Sequence, residues 1–150
     1  MHFPPYLYHS DCMTVYTFTS VGRQRIEKMV EFTNVGIENV FNLAFGDLLP
    51  NGTIDDTSNS NNGDLVKVLA TVISVLKDFT EKNPTAYVAF TGSTDERTKL
   101  YKRILKSYYS AFSKDFKIMA YIRSETGYIE IEYDPEKKVD YEVFLVKRII

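Results

Sequence analysis

Gly63-Asp64-Leu65-Val66-Lys67-Val68-Leu69-Ala70-Thr71-Val72-Ile73-Ser74-Val75-Leu76-Lys77-Asp78-Phe79, closed by Pro84 and followed by Tyr87-Val88-Ala89-Phe90, is the stretch that decides the fold. The first run is too long for a strand, and its apolar positions cover most of a helix circumference. Lys67, Thr71, Ser74 and Asp78 recur along it as one narrow polar stripe. Asn61 or Asn62 can cap the start, and Asp64 falls in the first turn, where the helix dipole favours an acid. A helix apolar on most sides needs cover besides one sheet face, either a second helix and the C-terminal segment or another copy of the chain. Tyr87 to Phe90 reads as an interior strand, because a short continuous apolar run is buried on both faces.

Working outward, Thr14 to Phe45 reads as three strands, with turns at Val21-Gly22-Arg23 and Thr33-Asn34-Val35-Gly36. Residues 46–64 read as a loop that carries Asp47, Asp55, Asp56 and Asp64 and no Lys or Arg. Such a long loop in a compact domain is more often functional or mobile than incidental. After Phe90, Thr91-Gly92-Ser93-Thr94 turns into a second helix, Thr94 to about Ala111, with Leu100, Tyr101, Ile104, Leu105 and Tyr108 as its core stripe. Ile118 to Ile122 and Tyr128 to Tyr133 form a hairpin about Glu125-Thr126-Gly127, whose last strand sets Ile129 and Ile131 against Glu130 and Glu132, so that one face is wet. The tail, Tyr141 to Ile150, is read as a helix on Tyr141, Phe144, Leu145 and Arg148, although its β-branched content also fits a strand. With no repeat and no linker, the expected fold is a single α+β domain over residues 1–150. It has a mainly antiparallel mixed sheet (three-stranded meander, then helix-strand-helix, then hairpin) with two principal helices on one face.

The 150 residues are 44% apolar and 25% charged, values of an ordinary globular chain rather than a disordered or fibrous one. Cys12 is the only cysteine, so neither an internal disulfide nor a cysteine-cluster zinc site can form, and a reducing, cytoplasmic setting is expected. Residues 1–11 lack the parts of a secretory signal, and the apolar run at 65–79 is too short and too charged to span a bilayer, so no membrane partner is expected. His2 and His9 are the only histidines, in a terminal segment expected to be mobile, which removes most serine–histidine and cysteine–histidine chemistry.

Three places could carry function. The junction Thr91-Gly92-Ser93-Thr94-Asp95-Glu96-Arg97 puts a glycine and three hydroxyls where helix N–H groups are unpaired, which can hold an anion. Ser93 with Glu96 also matches a capping box, in which the helix satisfies its own donors and Asp95 and Glu96 stand where an anion would go and repel it. Arg97 falls on the apolar stripe of the second helix and should lean inward, where a guanidinium needs a carboxylate or an acidic ligand, and Asp47, Asp55, Asp56 and Asp64 are the unpaired acids of the loop. The acidic loop itself misses calcium-loop spacing, with no glycine at the sixth place from Asp55 or Asp56 and no glutamate at the twelfth, so no dedicated metal site is assigned. Residues 97–117 carry Arg97, Lys99, Lys102, Arg103, Lys106, Lys114 and Lys117 against Asp115. A charged outer helix face is usually solvated, and the chain as a whole carries −2, so nucleic acid is not the expected partner.

Phe45-Gly46-Asp47, Ser60-Asn61-Asn62-Gly63-Asp64, and Phe90-Thr91-Gly92-Ser93 with Arg97-Thr98 and Leu100-Tyr101 resemble a family of small bacterial proteins known only as a domain of unknown function. The resemblance implies a cytosolic bacterial protein and brings no activity, cofactor or catalytic residue. The element order is also similar to ribonuclease H-like domains, but Thr14 to Ser20 lacks the metal-binding carboxylate of their first strand. The expected function is binding of an anionic small molecule or a protein partner by Asp47, Asp64, Thr91, Gly92, Ser93, Thr94 and Arg97. The alternatives are a metal-assisted hydrolase or nuclease using Asp47, Asp55, Asp56 and Asp64 with Arg97, and a self-associating, homodimeric interaction module.

Overall fold

The computed structural model describes residues 5–55, 62–90, 99, 102–103, 105–139, 141 and 143–149. The fold is α+β, and the described residues form nine strands in a mixed, mostly antiparallel arrangement and three helices. The chain gathers into two compact units, one of Met1–Thr33 with Leu43–Asn83, the other of Asn34–Asn42 with Pro84–Ile150.

The first unit contains β1 (Tyr8–Cys12), β2 (Val15–Val21), β3 (Arg25–Asn34) but for its last residue, most of β4 (Val40–Leu48), β5 (Ile54–Asp55) and α1 (Leu65–Lys82). The strands follow the order β1-β2-β3-β4, with β5 beside β4. The expected meander is therefore present as β2, β3 and β4. Inward residues of α1, among them Val68, Leu69, Val72, Val75, Leu76 and Phe79, are buried, and each contributes about 1.5–3 kcal/mol by leaving water. Phe79 stacks on Phe32 of β3 with ring centroids 3.9 Å apart. Thr80 is buried because its hydroxyl bonds back to the Leu76 carbonyl, 2.8 Å away. The helix stops at Asn83, whose N–H and side-chain amide both donate to the Phe79 carbonyl, one residue before Pro84.

Three readings of this unit are corrected. The terminal segment around His9, expected to be mobile, is β1, tied to β2 by a ladder from Tyr8↔Phe18 to Cys12↔Val15 with a bulge. Just before it, the Tyr6 N–H donates to Thr71 Oγ1 at 2.9 Å, its ring stacks on Phe18, and Lys67 lies over it at 4.3 Å. This segment thus covers Thr71 and Lys67 on the stripe read as polar, and Thr71 is buried. The polar stretch from residue 46 begins as strand, since β4 runs on to Leu48 and pairs back with Ile54-Asp55. The hairpin closes with Leu49 N–H on the Thr53 carbonyl and Gly52 at φ 87°, a backbone that glycine adopts without cost. Asn62 does not cap α1 through its side chain, and Asp64, expected inside the first turn, is the N-cap residue and makes no capping bond.

The second unit pairs Val40–Asn42 of β4 in parallel with β6 (Tyr87–Phe90), as a short interior strand predicts. β6 pairs antiparallel with β9 (Val143–Arg148), β9 with β7 (Phe116–Ser124), and β7 with β8 (Gly127–Glu132). The tail read as a helix is therefore corrected to the strand β9. Phe144 and Val146 are wholly buried at alternate positions, and Val143 and Val146 suit a pleated surface. In the second helical stretch, residues 99, 102–103 and 105–107 are helical (α2), Tyr108 breaks the run, and α3 (Tyr109–Asp115) follows, so the helical region extends past the expected end at Ala111. The expected β7–β8 hairpin forms with a turn at residues 125–126, but β8 is wet on both faces, Ile129 being 47% exposed.

Tyr16 of β2 is fully buried, and its hydroxyl finds no partner among the described residues. Burial, then the negative charge of Asp78, pushes its phenol up to about 12. The unfolded phenol ionises near 10, so between these values the unfolded chain holds fewer protons and stability falls as pH rises. A titration of tyrosine absorbance at alkaline pH should show this late-ionising phenol. In Tyr16→Phe the late-ionising amplitude should fall by one phenol, leaving that of Tyr133, which burial also pushes up to about 12, with equal or higher stability at pH 7, because an unmatched buried hydroxyl is gone. A large loss of stability in that variant would mean the hydroxyl is bonded.

Candidate functional site

β-strand periodicity places a charged side chain among apolar ones in the first unit. Ile26, Lys28, Val30 and Phe32 share one face of β3, and the stacking of Phe32 on Phe79 makes it the face that α1 covers. The antiparallel register sets Phe18 opposite Lys28 and, on the neighbouring hairpin, Asp47 opposite Asp55. Lys28 Nζ meets Asp47 Oδ1 at 2.5 Å and joins the two halves into a row, Phe18–Lys28–Asp47–Asp55. The Lys28 side chain is 7% exposed and that of Asp47 21%, so solvent reaches the pair from the carboxylate side. A lysine is almost never this buried unless paired.

A second polar group adjoins the row. Ser20 lies opposite Ile26, hence diagonal to Lys28 on the same face. Its hydroxyl donates to Asp64 Oδ2 at 2.5 Å, and the Tyr6 hydroxyl donates to the same oxygen at 2.5 Å. These are charge-assisted bonds, shorter and stronger than neutral ones. Burial first, and the bond to Asp64 next, hold the Tyr6 phenol above its ordinary value. Asn62, itself buried, donates through Nδ2 to Ser20 Oγ and to the Gln24 carbonyl, accepts from Gln24 N–H through Oδ1, and accepts from Arg23 N–H on its main-chain oxygen. Residues 62–64 are thereby laced to the β2–β3 turn. Asp64 leaves the helix N–H groups alone because hydroxyls from β2 and the terminal segment hold its charge.

Of the expected ligand residues, Asp47 and Asp64 stand at this polar end of the first unit. Thr91, Gly92, Ser93, Thr94 and Arg97 lie outside the described residues, as does Asp56. The loop acids read as unpaired have partners: Lys28 meets Asp47, and hydroxyls meet Asp64. The sequence reading missed Lys28, Ser20 and Tyr6. Lys28 was detectable, since it occupies the apolar phase of its strand, and Ser20 continues the inward phase of Tyr16 and Phe18. Tyr6 carries no comparable signal. Among the described residues no group of three or more His, Cys, Asp or Glu is placed to hold a metal ion, and no helix is long and apolar enough to cross a membrane.

A mixed α+β protein with a buried lysine–aspartate pair and a hydroxyl-clasped helix start is thus the class that fold and site define. The chain belongs to the family of unknown function DUF6934, whose model matches residues 2–149, in agreement with the resemblance carried by Phe45-Gly46-Asp47 and its companion segments. No curated protein and no solved structure matches it.

Proposed function

We propose that this chain is a binding module and that, of the two expected ligands, a protein partner suits the described residues better than an anionic small molecule. One observation carries the reading: Asp47 is the accessible member of its ion pair and faces Asp55 across the strand register. Lys28, Asp47 and Asp55 together carry one net negative charge, so a group that brings positive charge is favoured over phosphate. A lysine or arginine side chain of a partner supplies that charge. A buried ion pair is also compatible with a role beyond stability, since apolar residues of similar volume often hold a fold equally well. In this reading Thr91, the Gly92 backbone, Ser93, Thr94 and Arg97 are donors for the partner's carbonyls or carboxylates, and Asp64 is a positioning residue.

The facing carboxylates also favour a second reading, a metal-assisted hydrolase or nuclease that uses Asp47, Asp55, Asp56 and Asp64 with Arg97. A titration followed by amide shifts separates the readings with three probes, a short lysine- and arginine-bearing peptide, inorganic phosphate and magnesium. Saturable shifts at Asp47, Leu48, Ile54 and Asp55 are expected with the peptide, and Asp55→Asn should weaken them several-fold. A saturable response to phosphate alone would overturn the reading in favour of an anionic ligand, and a response to magnesium alone would replace it with the second.

A further inference from the structure

We infer that the outer edge of β8 is a docking site for an extended segment of a partner protein in which basic and apolar residues alternate. β8 ends the strand order, paired on one side with β7, and no described strand covers its other side. The pairing runs without a bulge from Ser124↔Gly127 to Met119↔Glu132. Tyr133 N–H donates to the Ile118 carbonyl, which fixes the phase. Residues 127, 129 and 131 spend their main-chain groups on β7, whereas Glu130 and Glu132 present theirs outward. Tyr128 is 56% exposed and Ile129 47%.

Such an edge invites another strand, and proteins usually blunt it with proline, lysine, a bulge or a covering element. Among the described residues β8 has no proline, lysine, bulge or covering strand, only the charges of Glu130 and Glu132. Its charge instead selects the visitor. From Ser124 to Glu136 the chain carries Glu125, Glu130, Glu132, Asp134 and Glu136 and no Lys or Arg. A second copy of β8 is disfavoured, because registers that pair the outward residues along its length set glutamate against or diagonal to glutamate. An incoming strand with lysine or arginine on the face of Glu130 and Glu132, and aliphatic residues on the face of Ile129 and Ile131, satisfies main chain and side chains together. Main-chain pairing provides affinity and the alternation provides specificity. This surface and the proposal for Asp47 stand on different residues, so either can fail alone.

The test uses the full chain and a nine-residue peptide alternating lysine with valine, beside a scrambled peptide of the same composition. Binding of the alternating peptide should slow amide exchange at least tenfold at Glu130 and Glu132. Glu130→Pro removes an outward N–H without breaking a bond to β7 and should weaken binding at least tenfold. Glu130→Lys combined with Glu132→Lys, which keeps the backbone intact if the proline variant misfolds, should transfer preference to a peptide alternating glutamate with valine. Equal binding of the scrambled peptide, undiminished binding by both variants, or protection of β8 amides by self-association without peptide would each overturn the inference.

Discussion

Gly22→Ala is expected to lower the midpoint of thermal unfolding by about 6 °C or more, corresponding to roughly 3 kcal/mol or above for a chain of this size. A Cβ at this position would lie 1.8 Å from the main-chain oxygen of Asn62 and 2.9 Å from its carbonyl carbon. That neighbour is backbone, and it is pinned. Its oxygen accepts from Arg23 N–H at 2.9 Å while the Asn62 side chain grips both main-chain groups of Gln24. Relief requires the turn to leave residues 62–64, which also takes Ser20 from Asp64. Gly36→Ala is the control: nothing lies within 4 Å of its Cβ position, and only the φ of 90° opposes it, at about 1–2 kcal/mol. Thermal melts followed by circular dichroism rank the two variants, and equal losses would contradict the close approach at Gly22.

The second large effect belongs to the inner ion pair. Asp47→Leu removes the carboxylate facing an ammonium that is nearly out of solvent, and a loss of about 3 kcal/mol is expected from breaking such a pair. Lys28→Met alone should cost less, since Asp47 keeps access to water on its own side. In the double variant Lys28→Met with Asp47→Leu, much of the loss should return, because two apolar side chains on a face shared with Val30 and Phe32 restore packing. Urea unfolding of the four proteins closes the cycle. A coupling near zero would show that the two groups are solvated independently, and with it would go the distinction between a buried cation and an accessible acid.

The first helix and the meander before it could be read directly, because both rest on local periodicity: Leu65 to Phe79 wraps a cylinder, and Tyr16, Phe18 and Ser20 alternate inward. β9 could not be read in this way. Tyr141 to Ile150 fits two periods, and what decides between them is the pairing with Tyr87–Phe90 and Phe116–Tyr121, partners distant in sequence. Residues 6–12 were underestimated for a related reason. A terminal segment shows no amphipathic signature when its order comes from single bonds to Thr71 and from the β2 ladder. Within the candidate site, the acids stood out by composition, while their cation was hidden as one charged residue in an apolar phase. Lys28 could be found by asking of every strand which residue breaks its inward series.

The division of β4 between the two units bears on how the protein emerges during synthesis. All of the first unit has been translated once Asn83 is added, whereas Asn34–Asn42, made early, belongs to a unit whose remaining members start at Pro84. Val40, Phe41 and Asn42 must therefore wait for Tyr87, Val88 and Ala89 before their parallel ladder can close. The nascent chain carries a half-committed strand through that interval, its later residues engaged and its earlier ones still without neighbours on the β6 side.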